Sequence, residues 1–276
     1  MAFNFNLNDT EALKAIKREK FPLFKFVGFF ENFFLFLLIL SACFFAASFF
    51  GVTSGYFYAK LIALLFGLYL FFWNLSLFTS LKIKKPPLPL NLADAADNPD
   101  NYNLAGFLGF STAKIVNESI KFCRRKKLPV NSASLFYSAV QESIEISLIV
   151  FRLGLDVKNL QEGLRNYLEK MQKQQEEQVF AQDFQNTLME ALKFAKERGH
   201  SVIGEKEILV GLAKSDEFFK KFLVEHDLKE PDVENLAIWL DSAEDLAEKT
   251  KQFWSKENLA RAGSLGKDWA SGYTIT

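Results

Sequence analysis

The 276 residues carry 33 Lys/Arg against 33 Asp/Glu, but the zero balance hides two segregated halves: residues 1–85 hold 9 basic and 4 acidic residues, which leaves 24 and 29 for 86–276. The acidic body excludes nucleic acid as partner, because phosphate binding needs clustered Lys/Arg. Two cysteines (Cys43, Cys123) exclude a disulfide scaffold or cysteine-rich zinc site, and two histidines (His200, His226) exclude a three-histidine metal centre.

The first 28 residues form a polar leader. Asp9-Thr10-Glu11 can cap a short helix running to Lys20, with Pro22 disfavouring its continuation. Ala12, Leu13 and Ile16 share one face of it and lysines the other, so it is expected to lie on the inner membrane surface.

Residues 29–81 form a transmembrane helical hairpin. No charge occurs from Asn32 to Ala59, and after Lys60 the next is Lys82. Each run exceeds the roughly 20 apolar residues that cross a bilayer core. The span cores are about 29–50 and 58–80, and the glycine-bounded link Gly51–Gly55 is too short for a domain. A cleaved signal peptide fits less well, since its charged leader would be about 30 residues and its apolar stretch exceeds the usual 7–15. Five Lys/Arg precede the first span and Lys82, Lys84 and Lys85 follow the second, whereas the turn side has only Lys60. Positive charge stays inside. Both termini are expected in the cytoplasm, with the hairpin in the cell's inner membrane.

Residues 82–105 are expected to be a spacer that holds the body off the bilayer. Pro86-Pro87-Leu88-Pro89 suggests polyproline II, and the Asp/Asn-rich stretch Asp94–Asn103 an irregular chain.

The body, 106–241, repeats internally. Ile120-Lys121-Phe122 recurs as Leu192-Lys193-Phe194 at an offset of 72, and 130–139 meets 203–212 at 73. Leu160 and Leu164 then face Val233 and Ala237. Two units of about 60 residues, near 110–168 and 184–241, are joined by a charged segment, 169–183. Each suggests four helices, the second with an apolar stripe at Phe184, Leu188, Ala191, Leu192 and Ala195, ended by Gly199. Ile144, Ile146, Leu148 and Val150 alternate like a strand, but their repeat partners 218–224 have a helical pattern, so a helix is expected there too. The fold class is all-α: a two-helix hairpin, then a pseudo-twofold pair of four-helix units, then a C-terminal helix and connector over 242–276.

The second unit, with Ala191-Leu192-Lys193-Phe194-Ala195, the turn Gly199-His200 and then Ile203-Gly204 … Ile208-Leu209-Val210-Gly211-Leu212, resembles the Clp repeat. Two such repeats make the N-terminal domain of Clp-type AAA+ unfoldases such as ClpA, ClpB and ClpC. In the first unit Lys127-Leu128 replaces Gly-His, Asn131 and Ser138 replace the glycines, and Leu135 and Phe136 stand for Ile208 and Leu209. The resemblance covers about 106–241. Farther on, Gly266–Thr274 looks like the connector before the first ATPase module of some membrane-anchored Clp-like proteins. The resemblance implies a module that receives protein substrates or adaptors for an AAA+ unfoldase and protease in quality control. The alternative is a membrane-tethered scaffold that binds another protein and delivers nothing to an ATPase.

No Gly-x4-Gly-Lys-(Ser/Thr) occurs; Gly263–Asp268 has the wrong spacing and ends in aspartate. No catalytic, cofactor or metal-ligating residue is assigned, and an enzyme is not expected within these residues, which are either the front part of a longer unfoldase or a separate protein that works with one. His200 and His226 are expected at a turn and a helix end, Cys123 in the core, and Arg124–Lys127 at a solvated helix end. The phosphoarginine-binding form of this domain has a glutamate where this chain has Ala133 and Lys206, so that specificity is not carried over. Leu209 and Phe136 are expected to be buried, Glu205 and Lys206 to face water. The groove that would take a peptide is not legible.

Overall fold

The computed structural model describes residues 4–19, 21–48, 55–84, 91–171 and 180–253. The link 51–54, the prolines 86–89, most of the joining segment and the C-terminal connector lie outside the described residues, which are helical with short turns.

Helices α2 (Pro22–Ser48) and α3 (Gly55–Lys84) pack along each other. They contain the stretches Phe26–Ser48 and Tyr56–Thr79, each long and apolar enough to cross a membrane. Phe72 stacks on Phe30 and Phe34, both at 5.3 Å, and Phe44 on Tyr58 at 5.6 Å, while Phe26, Phe29, Phe36 and Phe71 point outward. The polar side chains bond to their own helix: Asn32 donates to the Gly28 carbonyl and Asn74 to that of Leu70. That is the arrangement an apolar solvent demands.

Helix α1 (Glu11–Glu19) corrects an expectation. Thr10 caps it by accepting the Leu13 N–H, but its apolar face does not lie against lipid. Ala12, Leu13 and Ile16 are buried, Ile16 to 1% exposure, and the helix packs against both α3 and α5 (Phe110–Lys126). Ahead of it, Phe5 meets Phe180 and Phe184 edge-on, and Asn6 and Asn103 exchange backbone-to-amide hydrogen bonds of 2.9 and 2.7 Å. The protein core offers this stripe a better-packed surface than a membrane interface does.

The stretch 91–105 is not irregular either. It forms α4 (Leu92–Asp97) and 3-10 turns at Pro99–Asn101 and Leu104–Phe107, with Leu92, Ala95 and Leu104 buried. Asn91 and Asn103 each accept the N–H two residues ahead. Within the stretch that suggested an irregular chain, Asn98 and Asn103 are caps, a local hydrogen-bonding role that Asn favours.

The two units follow. The first comprises α5, α6 (Ser132–Glu142), α7 (Ile144–Arg152) and α8 (Val157–Glu169); the second comprises α9 (Gln182–Glu197), α10 (Glu205–Ser215), α11 (Glu217–Glu225) and α12 (Glu230–Phe253). The fourth helix of the second unit runs straight through residue 241 into the expected C-terminal helix. The pseudo-symmetry reaches the backbone. Left-handed residues end the first helix of each unit, Lys127 (φ 57°) and Gly199 (φ 70°), and the third, Gly154 (φ 80°) and Asp227 (φ 57°). Third helices are capped alike, by Ser143 on Ile146 N–H and Asp216 on Phe219 N–H. The units also exchange strand-like bonds: Gly109 N–H donates to Ile203 O at 2.9 Å, and Ala181 N–H to Val130 O at 2.9 Å. Phe136 and Phe219 meet across the junction at 4.4 Å. One apolar cluster therefore runs through both units and the N-terminal segment.

Candidate protein-docking site

The signature residues converge on the turn between α9 and α10. Gly199 takes the left-handed conformation that closes α9, and the His200 N–H then donates to Ala195 O at 2.9 Å. Glu207, 3% exposed, accepts from Gly204 N–H at 2.7 Å and lies 2.7 Å from His200 Nδ1. One carboxylate thus ties the turn to the first turn of α10. Ile208, Leu209 and Leu212 are buried on the core side, as Leu135 and Phe136 are in α6. Gly211 faces α9 so closely that a Cβ there would fall 3.1 Å from Ala191 N and inside contact distance of the Thr187 carbonyl oxygen. Ile208, Leu209, Gly211 and Leu212 thus pack inside the body, while His200 is half-buried at the turn.

Lys206 was expected in water and is not. It is 7% exposed, with Nζ 2.8 Å from Asp241, 2.7 Å from Glu244 and 3.5 Å from Glu145. Burial works against its charge, but the bonds to Asp241 and Glu244 and the Glu145 charge outweigh it, so its pKa is raised. Glu205 is likewise engaged, accepting from the Ser143 hydroxyl. The sequence reading missed these partners because they come from α7 and α12, far along the chain. His200, Glu207 and Asp241 bring potential metal-ligand atoms within 4.8 Å of one another. Asp241, however, already faces Lys206 and, at 3.6 Å, Arg198 Nε, two cations that would repel a third. The cluster is better explained as a tie between α9, α10 and α12.

Elsewhere the expectations hold. Cys123 is fully buried, and burial pushes its thiol pKa up. His226 caps the end of α11, and Arg124–Lys127 are exposed.

Around the signature turn lies a cavity of about 610 Å³, walled by Glu145, His200, Lys206, Glu244 and Asp245. Beside it a second, of about 590 Å³, is walled by Glu19, Phe110, Thr112, Glu142 and Ile144. Helix α7 presents an apolar stripe to the outside: Ile144 is 89% exposed, Phe151 69% and Leu148 44%. The two cavities and this stripe are open, and concave surfaces beside exposed apolar side chains have the form that ligand and peptide sites take.

Residues 132–226 match the family model of the Clp repeat (R) N-terminal domain. This segment is a Clp repeat domain. No curated protein matches the sequence. Similar solved structures include the Hsp104 N-terminal domain from Candida albicans, at 15% identity over 49% of this chain and 91% of that one, with a TM-score of 0.44. The N-domain of ClpV from Vibrio cholerae is similar at 13% identity, over 57% of this chain and 93% of that one, with a TM-score of 0.43. The N-terminal domain of the ClpV1 ATPase from E. coli EAEC is similar at 14% identity, over 50% and 88%, with a TM-score of 0.44. The Clp repeat domain found here is built around the α9–α10 turn just described, and the N-terminal segment and α4 extend its core.

Proposed function

We propose that this chain is a membrane-anchored Clp repeat receptor, which collects protein substrates or adaptors at the cytoplasmic face of the inner membrane for an AAA+ unfoldase and protease. The observation that carries the reading is a Clp repeat domain packed, through α1, onto a hairpin long and apolar enough to cross the bilayer. The Lys/Arg excess at the open end of the hairpin supports cytoplasmic termini. Residues 1–276 carry no phosphate loop, so within this reading nucleotide hydrolysis falls to an ATPase module outside them, on the same chain or on a partner. Quality control is the role the family resemblance implies for such a module.

The test is binding without nucleotide. Full chain in neutral detergent micelles should bind a permanently unfolded polypeptide, reduced and alkylated lactalbumin, more tightly than the native protein. Micromolar ATP binding by the chain, or equal affinity for native and unfolded lactalbumin, would remove the receptor reading.

A further inference from the structure

The two cavities share Glu145, Gly204 and Glu205, so they form one double cleft where the units meet. Its far end reaches Glu19, the last residue of α1, three positions before α2 begins. The cleft therefore opens at the base of the hairpin.

Its charge is one-sided. Eight carboxylates and three cations line it, which leaves five negative charges uncompensated. Lys206 and Arg198 are committed to the inner carboxylates, and Lys114 stands 3.6 Å from Glu142. Glu19, Glu205 and Asp245 have no cation partner among the described residues. Burial pushes the Glu145 pKa up; Lys206 pulls it back, and the charges of Glu205 and Glu244 add to the rise. Like charges on low-dielectric walls focus a field that draws cations in.

Two further features point to a polypeptide rather than a bare cation. Ile144 stands at the lip, 89% exposed, with Phe110 and Ile115 behind it. Thr112 in the wall is 1% exposed, yet its Oγ1 makes no hydrogen bond. A buried hydroxyl without a partner costs free energy that an incoming peptide group would recover.

We propose that the double cleft seats a basic-apolar polypeptide segment, with Lys or Arg side chains set against Glu19, Glu142, Glu205 and Asp245, and an apolar side chain against Ile144. This rests on the receptor reading and narrows it to one class of segment. The probe is a fluorescein-labelled octapeptide of alternating arginine and leucine, with analogues carrying glutamine or glutamate for arginine. Anisotropy on the full chain in neutral micelles should show the arginine peptide binding roughly tenfold or more tighter than the glutamine analogue, and weakening with salt. Glu142→Lys with Asp245→Lys, both exposed, should weaken it by about tenfold or more. Glu162→Lys, an exposed charge reversal on α8 outside the cleft, should not.

Equal affinity for the glutamine analogue, or equal damage from Glu162→Lys, overturns the proposal. If unfolded lactalbumin binds while the arginine peptide does not compete, the cleft assignment falls and the receptor reading stands. If neither binds, both fall.

Discussion

Gly211 sits where the Clp repeat is most tightly packed, and its replacement by alanine gives a number that can be worked in advance. Helices α9 and α10 make the most extensive contact between any two helices of the body. A methyl at Gly211 would press on the Thr187 carbonyl oxygen, and would lie 3.1 and 3.3 Å from Ala191 N and Cβ. All three obstacles belong to the backbone or first carbon of α9, so no rotamer change relieves them. Overpacking of this kind costs about 1–3 kcal/mol, and an immovable neighbour puts it near the top of that range. Alanine recovers about 0.8–1.0 kcal/mol of helix propensity. The net loss is then about 2 kcal/mol, which lowers the melting midpoint of a domain this size by roughly 4–8 °C. Near-UV circular dichroism of the full chain in micelles reads it. Ser138, the repeat equivalent, is buried and already carries a Cβ, so Ser138→Ala should move the midpoint far less. A midpoint raised by Gly211→Ala, as at an unconstrained helical glycine, would refute the α9–α10 packing.

Further outcomes follow from the core and its buried charges. Leu209 is fully buried, and Leu209→Ala should cost about 2–5 kcal/mol in the same melts; an unmoved midpoint would contradict the repeat register. Lys206→Ala leaves Asp241 buried without its closest cation and should cost about 2–4 kcal/mol, less than a fully buried pair because Arg198 remains at 3.6 Å; a change under about 0.5 kcal/mol would return Lys206 to the surface role its sequence suggested. Ser132 Oγ lies 2.6 Å from Asp216 and 2.8 Å from Asp183, and its single hydroxyl proton can be given to only one of them at a time. Burial raises the Asp216 pKa, against the opposing bonds from Ser132 and Phe219 N–H, so the native state binds that proton more tightly than the unfolded chain. Its contribution to stability is then fullest below the ordinary carboxylate range and is lost as pH rises through the raised value. Asp216→Asn, which keeps an oxygen to cap α11, should therefore gain stability relative to the parent as pH rises above the ordinary carboxylate range; a constant difference would contradict the assignment.

What the sequence made legible was whatever a local pattern or a repeat encodes. Two apolar runs announced the hairpin, and the offset of 72–73 aligned the left-handed ends Lys127 with Gly199 and Gly154 with Asp227. The helix over 144–152 came from its repeat partner against its own alternation. What was missed depends on partners far along the chain. Asn6 meets Asn103 across 97 residues, and Lys206 meets Asp241 and Glu244 across 35 and 38. Lys206 on its own has the composition of a solvated position; only the arrival of α12 makes it a buried one. For the same reason the double cleft, assembled from α1, α5, α6, α7, α10 and α12, has no linear signature.

The most direct measurement is flotation of inside-out membrane vesicles with labelled, unfolded lactalbumin and no added nucleotide. An anchored receptor with a cytoplasmic Clp repeat domain predicts that the client rises with vesicles containing this chain. It should stay behind with vesicles lacking the chain, and with right-side-out vesicles. Client that remains at the bottom of every gradient, or that floats only with right-side-out vesicles, would contradict the account.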